Sequence, residues 1–369
     1  MTLDDKQAKL RVAILFGGES DEHDVSLRSA ETVMSALDPE QHEIVPIGIS
    51  REGQWLTGRD AFKQLTGRSP LFSLGAGEET PSANTSSTLD LAEDPGAVLP
   101  PALGTVDVVF PVLHGPRGED GTVQGMLELA GIPFVGSGVL GSALAMDKAM
   151  AKTVLAQHGL PQGPWLLVNR GEWEKDPQPL TERIEIEIGF PCFVKPANMG
   201  SSVGVAKVHA PDELNACVSL ASQYDRRIIV EQAIDAREIE VAVLGNEHPI
   251  ASVPGEVAPG NEFYDYAAKY VDDTSELIIP AGIPDDLATR AGELAVSVFQ
   301  ALDLAGLARV DFFLERETDR LLINEVNTLP GFTAISMYPK LWEASGIPLA
   351  ELVQRLIDLA RERHADRRR

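Results

Sequence analysis

The segment 309–336, RVDFFLERETDRLLINEVNTLPGFTAIS, constrains the architecture more than any other stretch of the chain. Residues 308–314 form one strand-like run, a charged turn occupies 316–320, and a second apolar run covers 321–326. Short runs of this polarity around a polar turn predict an antiparallel hairpin. Side chains two positions apart on a strand share a face. Arg309 and Asp311 therefore project together, as do Glu325 and Asn327 at the end of the partner strand. The hairpin brings three oxygen ligands and a guanidinium to one patch. Hard oxygen donors suit magnesium, and fixed positive charge suits a transferring phosphoryl group or an oxyanion. A salt-bridged surface hairpin is the plainer reading of D-x-F…N-E-x-N by itself. The continuation TLPGFT at 328–333 adds a turn able to offer backbone N–H groups to an anion, which favours a ligand site.

At 369 residues the chain exceeds one ordinary core and suits two or three domains. A hydrophobic share of 44% with 24% charged residues is that of a soluble globular protein. The formal charge of −25 argues against a nucleic-acid partner, which needs a basic surface. It leaves room for a small phosphate ligand, since a few lysines and a metal can reverse the sign inside a cleft. The apolar run 12–16 is far shorter than a signal or membrane-spanning segment. Cys192 and Cys217 match no ligand spacing and read as buried free thiols, consistent with a reducing cytoplasm.

Residues 11–16 read as a buried parallel strand, followed by Gly17-Gly18, a helix over 26–37 and a strand over 44–49. This opens a doubly wound α/β unit, whose ligands gather at strand C-termini. The glycines do not spell the dinucleotide fingerprint G-x-G-x-x-G. Ser26 is adequately explained as a helix cap, and Glu22 and His23 lie at the same helix start. A loop rich in Ser, Thr, Gly, Pro and acid occupies 73–101. Strand 106–112 leads into HGPRGEDG at 114–121 and a helix over 122–130, again a strand C-terminus meeting a helix N-terminus. A short strand and turn, PFVGSG at 133–138, and a helix carrying Met146-Asp147-Lys148 follow. From 165 to 208 the pattern reads as β-rich; Lys195 ends one strand and the glycine-rich 197–205 joins it to the next. That loop is no P-loop, yet a glycine flap between strands can fold over phosphates. Strands are expected over 228–234 and 237–244, the second with Glu238 and Glu240 on one face. The long segment 254–280, with FYDYAAKY at 263–270, suggests an active-site lid. Helices are expected at 284–302 and 348–363, with a frayed basic tail at 364–369.

Together these motifs resemble the ATP-grasp superfamily and, within it, the D-alanine–D-alanine ligase family. The likeness rests on FGGESDEHDVS at 16–26, HGPRGEDG at 114–121, MDK at 146–148, VKPANMGSSVG at 194–204, FYDYAAKY at 263–270, and RVDFF…NEVNTLPGFT from 309. It covers essentially the whole chain in the family's order. It implies an α/β fold, α+β overall, in three domains. These are a doubly wound parallel-sheet domain at 1–141, a small β-rich domain at 142–234 and a catalytic α+β domain at 235–369. By the same resemblance, ATP contacts Lys148, Lys195, Ser201 and Ser202, the edge Glu231, Gln232, Ala233 and Ile234, then Glu238, Phe263, Lys269, Phe313, Asn324 and Glu325. Asp311, Glu325 and Asn327 hold two magnesium or manganese ions. Glu22 holds the first D-alanine's ammonium, with Ser201 and Tyr270 linked to it and His114 lining the site. Arg309 and Gly331 stabilise an oxyanion, Lys269 meets the transferred phosphate, and Ser336 with Met337 fixes the second carboxylate. A homodimer, a cytoplasmic location, no membrane or nucleic-acid partner and room for a monovalent cation complete what the likeness implies.

Two rival readings stand beside this one. A ligase of the same fold could take D-lactate or D-serine second; in the family, Tyr at the position of Tyr270 accompanies dipeptide formation. A non-catalytic ATP-binding regulator could keep the fold, but it would have no use for the metal ligands, Arg309 or Lys269.

Overall fold

In a computed structural model, residues 8–58, 60–68, 88–89, 101–258 and 276–367 are described. Three sheets form in consecutive stretches of the chain. The first contains β1 (Leu10–Gly17), β2 (His42–Ile49), β3 (Trp55–Thr57), β4 (Thr88–Leu89) and β5 (Val108–Pro111), in the order β4-β3-β2-β1-β5. Strands β1, β2 and β5 are parallel, whereas at one edge β3 pairs antiparallel with β2, and β4 antiparallel with β3. Val12 to Phe16 are wholly buried, as expected for a parallel strand covered on both faces. Helices α1 (His23–Ala36) and α2 (Ala61–Thr66) lie between its strands, and α3 (Thr122–Leu129) follows the last of them.

Two short helices, α4 (Val139–Met146) and α5 (Lys148–Gln157), lead out of this unit. The single helix expected around Met146-Asp147-Lys148 is broken at Asp147. That residue is extended, ends α4, and caps α5 by accepting the Met150 N–H at 3.0 Å. An aspartate side chain competes for backbone donors, which favours such a break.

The second sheet is antiparallel: β6 (Trp165–Asn169), β7 (Cys192–Pro196), β8 (Ala206–Val208) and β9 (Arg227–Gln232), in the order β6-β9-β7-β8. The β-rich expectation for 165–208 needs correction, because helices at Arg170–Lys175 and Gln178–Glu187 separate β6 from β7. Their apolar residues, including Trp173 and Ile184, pack on the sheet's outer face with Val194 and Val230.

The third sheet has β10 (Ala236–Gly245), β11 (Ile250–Ala251), β12 (Gly255–Ala258), β13 (Glu276–Ile278), β14 (Gly306–Glu315) and β15 (Leu321–Asn327). Its main path is β13-β12-β10-β14-β15. Strands β14 and β15 make the hairpin read from sequence, with Arg309 opposite Asn327 and Asp311 opposite Glu325. The register then skips, Phe312 facing Ile323, so Asn324 is the extra residue of a bulge. A bulge bends a strand locally and re-aims its side chains.

The helices Met337–Ala344 and Leu349–Arg367 return to the first sheet and share its core. Phe332 is 1% exposed, and its ring centroid lies 5.9 Å from Phe110 of β5 and 5.7 Å from Tyr338. Its N–H donates to Ser29 Oγ of α1 at 3.1 Å. The turn after β15 is therefore anchored to the first unit. The frayed tail expected at 364–369 is corrected as far as Arg367: the last helix continues to that residue, whose guanidinium pairs with Glu128. Arg363 stacks over Phe134 at 4.3 Å.

The lid read at 263–270, with Phe263, Lys269 and Tyr270, lies outside the described residues. So does the 73–101 loop, apart from 88–89 and 101.

Candidate active site

One polar cluster forms at the C-terminal edge of the first sheet. After β1 the chain turns through Gly17, whose φ of +91° and close approach to the Ile49 carbonyl leave no space for a Cβ. Ser26 is corrected here. Helix α1 begins three residues earlier than expected, so Ser26 is no cap; its buried Oγ accepts the Gly17 N–H at 2.8 Å and donates to the Val112 carbonyl. It staples the turn after β1 to the end of β5. Glu22 occupies the N-cap position of α1. A methyl group placed on Gly115 or on Gly200 would lie 3.7 Å from Glu22 Oε2, so the 114–121 turn and the 197–205 loop both reach this carboxylate. A cavity lined by Gly18, Ser20, Leu113, His114 and Gly118 opens alongside.

His114 is 5% exposed; its Nδ1 lies 2.9 Å from the Leu329 carbonyl, and its Nε2 is buried with no partner among the described residues. A buried unpaired ring nitrogen of this kind is costly unless a ligand meets it. Glu119 accepts the Gly115 N–H at 2.9 Å and also the Leu329 N–H. Burial and the neighbouring charge of Glu22 push its carboxyl up to about 8.

The second cluster lies between the second and third sheets. Lys148, at the start of α5, donates from Nζ to the Met199 carbonyl at 2.7 Å and sits 3.8 Å from Glu325. Ser201 and Ser202 adopt positive φ of 51° and 59° in the same glycine-rich loop, and the buried Ser201 Oγ has no partner among the described residues. Lys195 pairs with Glu231 Oε2 at 2.6 Å, while Lys152 pairs with Oε1 at 2.8 Å. Burial would raise the Glu231 carboxyl, but the two ammonium groups outweigh it and hold Glu231 far below the usual carboxylate range. Burial pulls Lys195 down, yet Glu231, Glu325 and Glu238 together leave it above its ordinary value. Gln232, Ala233 and Ile234 lead from β9 toward β10, with the Gln232 and Ala233 N–H groups bonded to the Pro164 and Pro191 carbonyls. Glu238 faces Phe313 across the β10–β14 register.

At the hairpin end Arg309 is committed to carboxylates. Its Nε and Nη2 donate to Asp311 Oδ1 and Oδ2 at 2.7 Å each, and Nε lies 3.0 Å from Glu240 Oε2. Asn327 Nδ2 donates to Asp311 Oδ2 at 2.9 Å. Among the described residues no three His, Cys, Asp or Glu side chains cluster as a metal site. The donor set is two carboxylates and the Asn327 amide oxygen, which fits a hard cation that keeps water and phosphate oxygens in its shell. Glu240 offers Arg309 a second acceptor, so Asp311 can turn to a cation without leaving the guanidinium unpaired. Gly331 is half-buried in the turn that follows. Ser336 Oγ accepts the Thr333 N–H at 3.0 Å, and Ser336 and buried Met337 begin the helix Met337–Ala344.

The sequence was compared with known proteins. A family model described as the D-ala D-ala ligase N-terminus matches residues 11–137, and one described as the D-ala D-ala ligase C-terminus matches 154–358. The chain belongs to the D-alanine–D-alanine ligase family. Relatives named D-alanine--D-alanine ligase are 49% identical in Geobacillus thermodenitrificans, covering 97% of each chain, and 50% identical in Geobacillus kaustophilus, covering 97% of this chain and 96% of that one. The D-alanine-D-alanine ligase from Coxiella burnetii superposes with a TM-score of 0.79 at 34% identity, covering 98% of this chain and 97% of the other. The VanG D-Ala:D-Ser ligase from Enterococcus faecalis gives 0.81 at 33%, covering 96% and 100%. The three-sheet arrangement is thus the ATP-grasp fold of that family. Among the described residues no helix is long and apolar enough to cross a membrane.

Sequence reasoning missed Lys152 and Glu119 as members of these clusters. Lys152 stands four positions after Lys148 on one helix, a spacing that places both on one side. Glu119 lay inside the 114–121 motif, but which carboxylates face each other is a property of packing.

Proposed function

We propose that this chain joins two molecules of D-alanine into D-alanyl-D-alanine while converting ATP to ADP and phosphate. One observation carries the reading. Lys148 holds the glycine-rich loop through Met199 and reaches toward Glu325, while Gly200 of that same loop lies against Glu22. A phosphoryl donor at the hairpin end and an amino acid held by its ammonium on Glu22 would meet beneath one loop.

A carboxylate resists nucleophilic attack until one oxygen becomes a leaving group. In the proposed sequence its oxygen takes the γ-phosphoryl group of ATP, giving D-alanyl phosphate and ADP. The unprotonated amine of the second D-alanine then attacks the carbonyl carbon, and the tetrahedral intermediate collapses with loss of phosphate. Such chemistry needs positioning and charge neutralisation more than a protein nucleophile. Two magnesium or manganese ions, held by Asp311, Glu325 and Asn327, would neutralise the phosphate oxygens. Lys148 and Lys195 orient those oxygens, Glu231 to Ile234 offer backbone to the adenine, and Glu238 accepts from the ribose. His114 Nε2 meets the first substrate. The Gly331 N–H, and Arg309 once released toward Glu240, face the intermediate's oxyanion. Ser336 and Met337 receive the second carboxylate, and the lid residues Phe263, Lys269 and Tyr270 complete the site with Ser201 and Ser202. The working form in this reading is a cytoplasmic homodimer, with a monovalent cation as an accessory.

ADP and phosphate release with D-alanine alone tests the proposal, the product being identified by mass. Equal yields of ADP and dipeptide are expected. Preference for D-lactate or D-serine as second substrate would move the assignment to a depsipeptide or mixed ligase. Absence of turnover with any amino or hydroxy acid would leave a nucleotide-binding regulator.

A further inference from the structure

Lys152 is the most deeply buried cation of the nucleotide cluster, yet nothing in the proposed chemistry uses it. Its side chain is 6% exposed and ends 2.8 Å from Glu231 Oε1. The other oxygen of that carboxylate, Oε2, takes Lys195 at 2.6 Å. The Lys195 side chain is 16% exposed, at the base of the glycine-rich loop. One buried carboxylate thus divides its two oxygens between an inner and an outer ammonium.

The three groups come from two bodies. Lys195 and Glu231 belong to adjacent strands of the second sheet, β7 and β9, and stand as diagonal neighbours, because Phe193 is directly opposite Glu231 and Ile229 opposite Lys195. Lys152 arrives from α5, whose Ala151 and Leu155 are locked into the core of the third sheet. The Lys152 carbonyl accepts the Gln162 amide at 2.9 Å, which holds that turn of helix in place. Lys152 therefore has a fixed post, whereas Lys195 borders the loop.

We propose that Lys152 is a positioning residue, the permanent counter-charge of Glu231 that allows Lys195 to leave that carboxylate for the nucleotide phosphates. An ammonium cannot depart from a buried carboxylate at little cost if it is the carboxylate's one cation, because an uncompensated buried charge is strongly unfavourable. With Lys152 in place Glu231 keeps a partner throughout, and Lys195 is free to face an anion. Without it, Glu231 and phosphate compete for the same ammonium. The inference rests on the reading of Lys195 as a phosphate contact.

The test measures steady-state KM for ATP and for D-alanine, with melting temperature, on full-length Lys152→Met, Lys152→Arg, Glu231→Gln, Lys195→Met and the double variant Lys152→Met/Glu231→Gln. Lys152→Met is expected to raise the ATP KM by about 10–100-fold and to leave the D-alanine KM within about 3-fold. Lys152→Arg should recover most of that loss. The double variant should regain at least about 10-fold over Lys152→Met, since a neutral amide no longer retains Lys195. A double variant no better than Lys152→Met at equal melting temperature overturns the proposal, as does an unchanged ATP KM in Lys152→Met. Should Lys152→Met fail to fold, Glu231→Gln and the double variant decide: ATP KM values within about 3-fold of each other support it, and a further 10-fold loss overturns it. Lys195→Met separates the two levels. If its ATP KM is normal, the phosphate reading itself fails; if it is impaired while Lys152→Met is normal, the counter-charge inference alone fails.

Discussion

The two halves of the site handle charge in opposite ways. At the hairpin and nucleotide end, each buried carboxylate already has a cation: Glu231 lies between Lys152 and Lys195, and Asp311 and Glu240 share Arg309. At the first sheet's edge, two carboxyl groups share a neighbourhood, and the charge of Glu22 helps to keep Glu119 protonated up to about pH 8. His114 adds a buried nitrogen there with no partner among the described residues. The first arrangement can exchange one cation for another as polyphosphate and metal arrive. The second sets the carboxyl groups of Glu22 and Glu119 side by side, and under the proposed function it receives the ammonium of an amino acid. Under the proposed function, this contrast would place the phosphorylated ligand at one end and the zwitterion at the other.

Substitutions can break this contrast in order of expected effect. Glu325→Gln removes charge from the proposed metal donors, so turnover should fall by more than about 100-fold while melting shifts little. Steady-state ADP release alongside a thermal melt checks it, and near-normal turnover with a collapsed melt would show a structural role instead. Glu22→Gln takes away the proposed partner of the substrate ammonium and should raise the D-alanine KM by about 10–100-fold, leaving the ATP KM within about 3-fold. Equal rises in both would mean that the two ends are not separate.

Glu119→Gln sharpens the comparison through pH. The folded carboxyl is raised to about 8 from its ordinary value of 4.5. Wild-type stability relative to this variant is therefore highest below pH 4.5, falls as pH rises through that window, and levels off above 8. The variant should gain on the order of 4 kcal/mol over that range, read from urea unfolding at pH 5, 7 and 9. A pH-independent difference would mean that Glu119 ionises normally. Ser26→Ala should cost about 1–2 kcal/mol, because the buried Gly17 N–H loses its acceptor. A cost near zero in the same unfolding assay would leave the turn staple without energetic weight.

Much of this was legible along the chain because it depends on neighbours in sequence. The 309–327 hairpin, the run of Val12 to Phe16 and the glycine turns follow from alternation, burial and backbone freedom, all local properties. Pairing Arg309 with Asp311 needed only the period of a strand. The remainder concerned partners distant in the chain. Ser26 looked like a helix cap because hydroxyls usually serve there, but Val112, far along the chain, is its acceptor. The helices between β6 and β7 were hidden in a stretch whose flanking strands dominated its pattern. The bulge at Asn324 required the partner strand's register to be known. Lys152 and Glu119 carry ordinary side chains at ordinary positions.

The amino-acid sequence by itself determined the chemistry on offer: oxygen donors at a hairpin end, lysines beside a glycine loop, and acids at two strand termini. Only the tertiary structure decided which charges neutralise one another, since Coulomb and desolvation energies depend on distance and burial rather than on order along the chain.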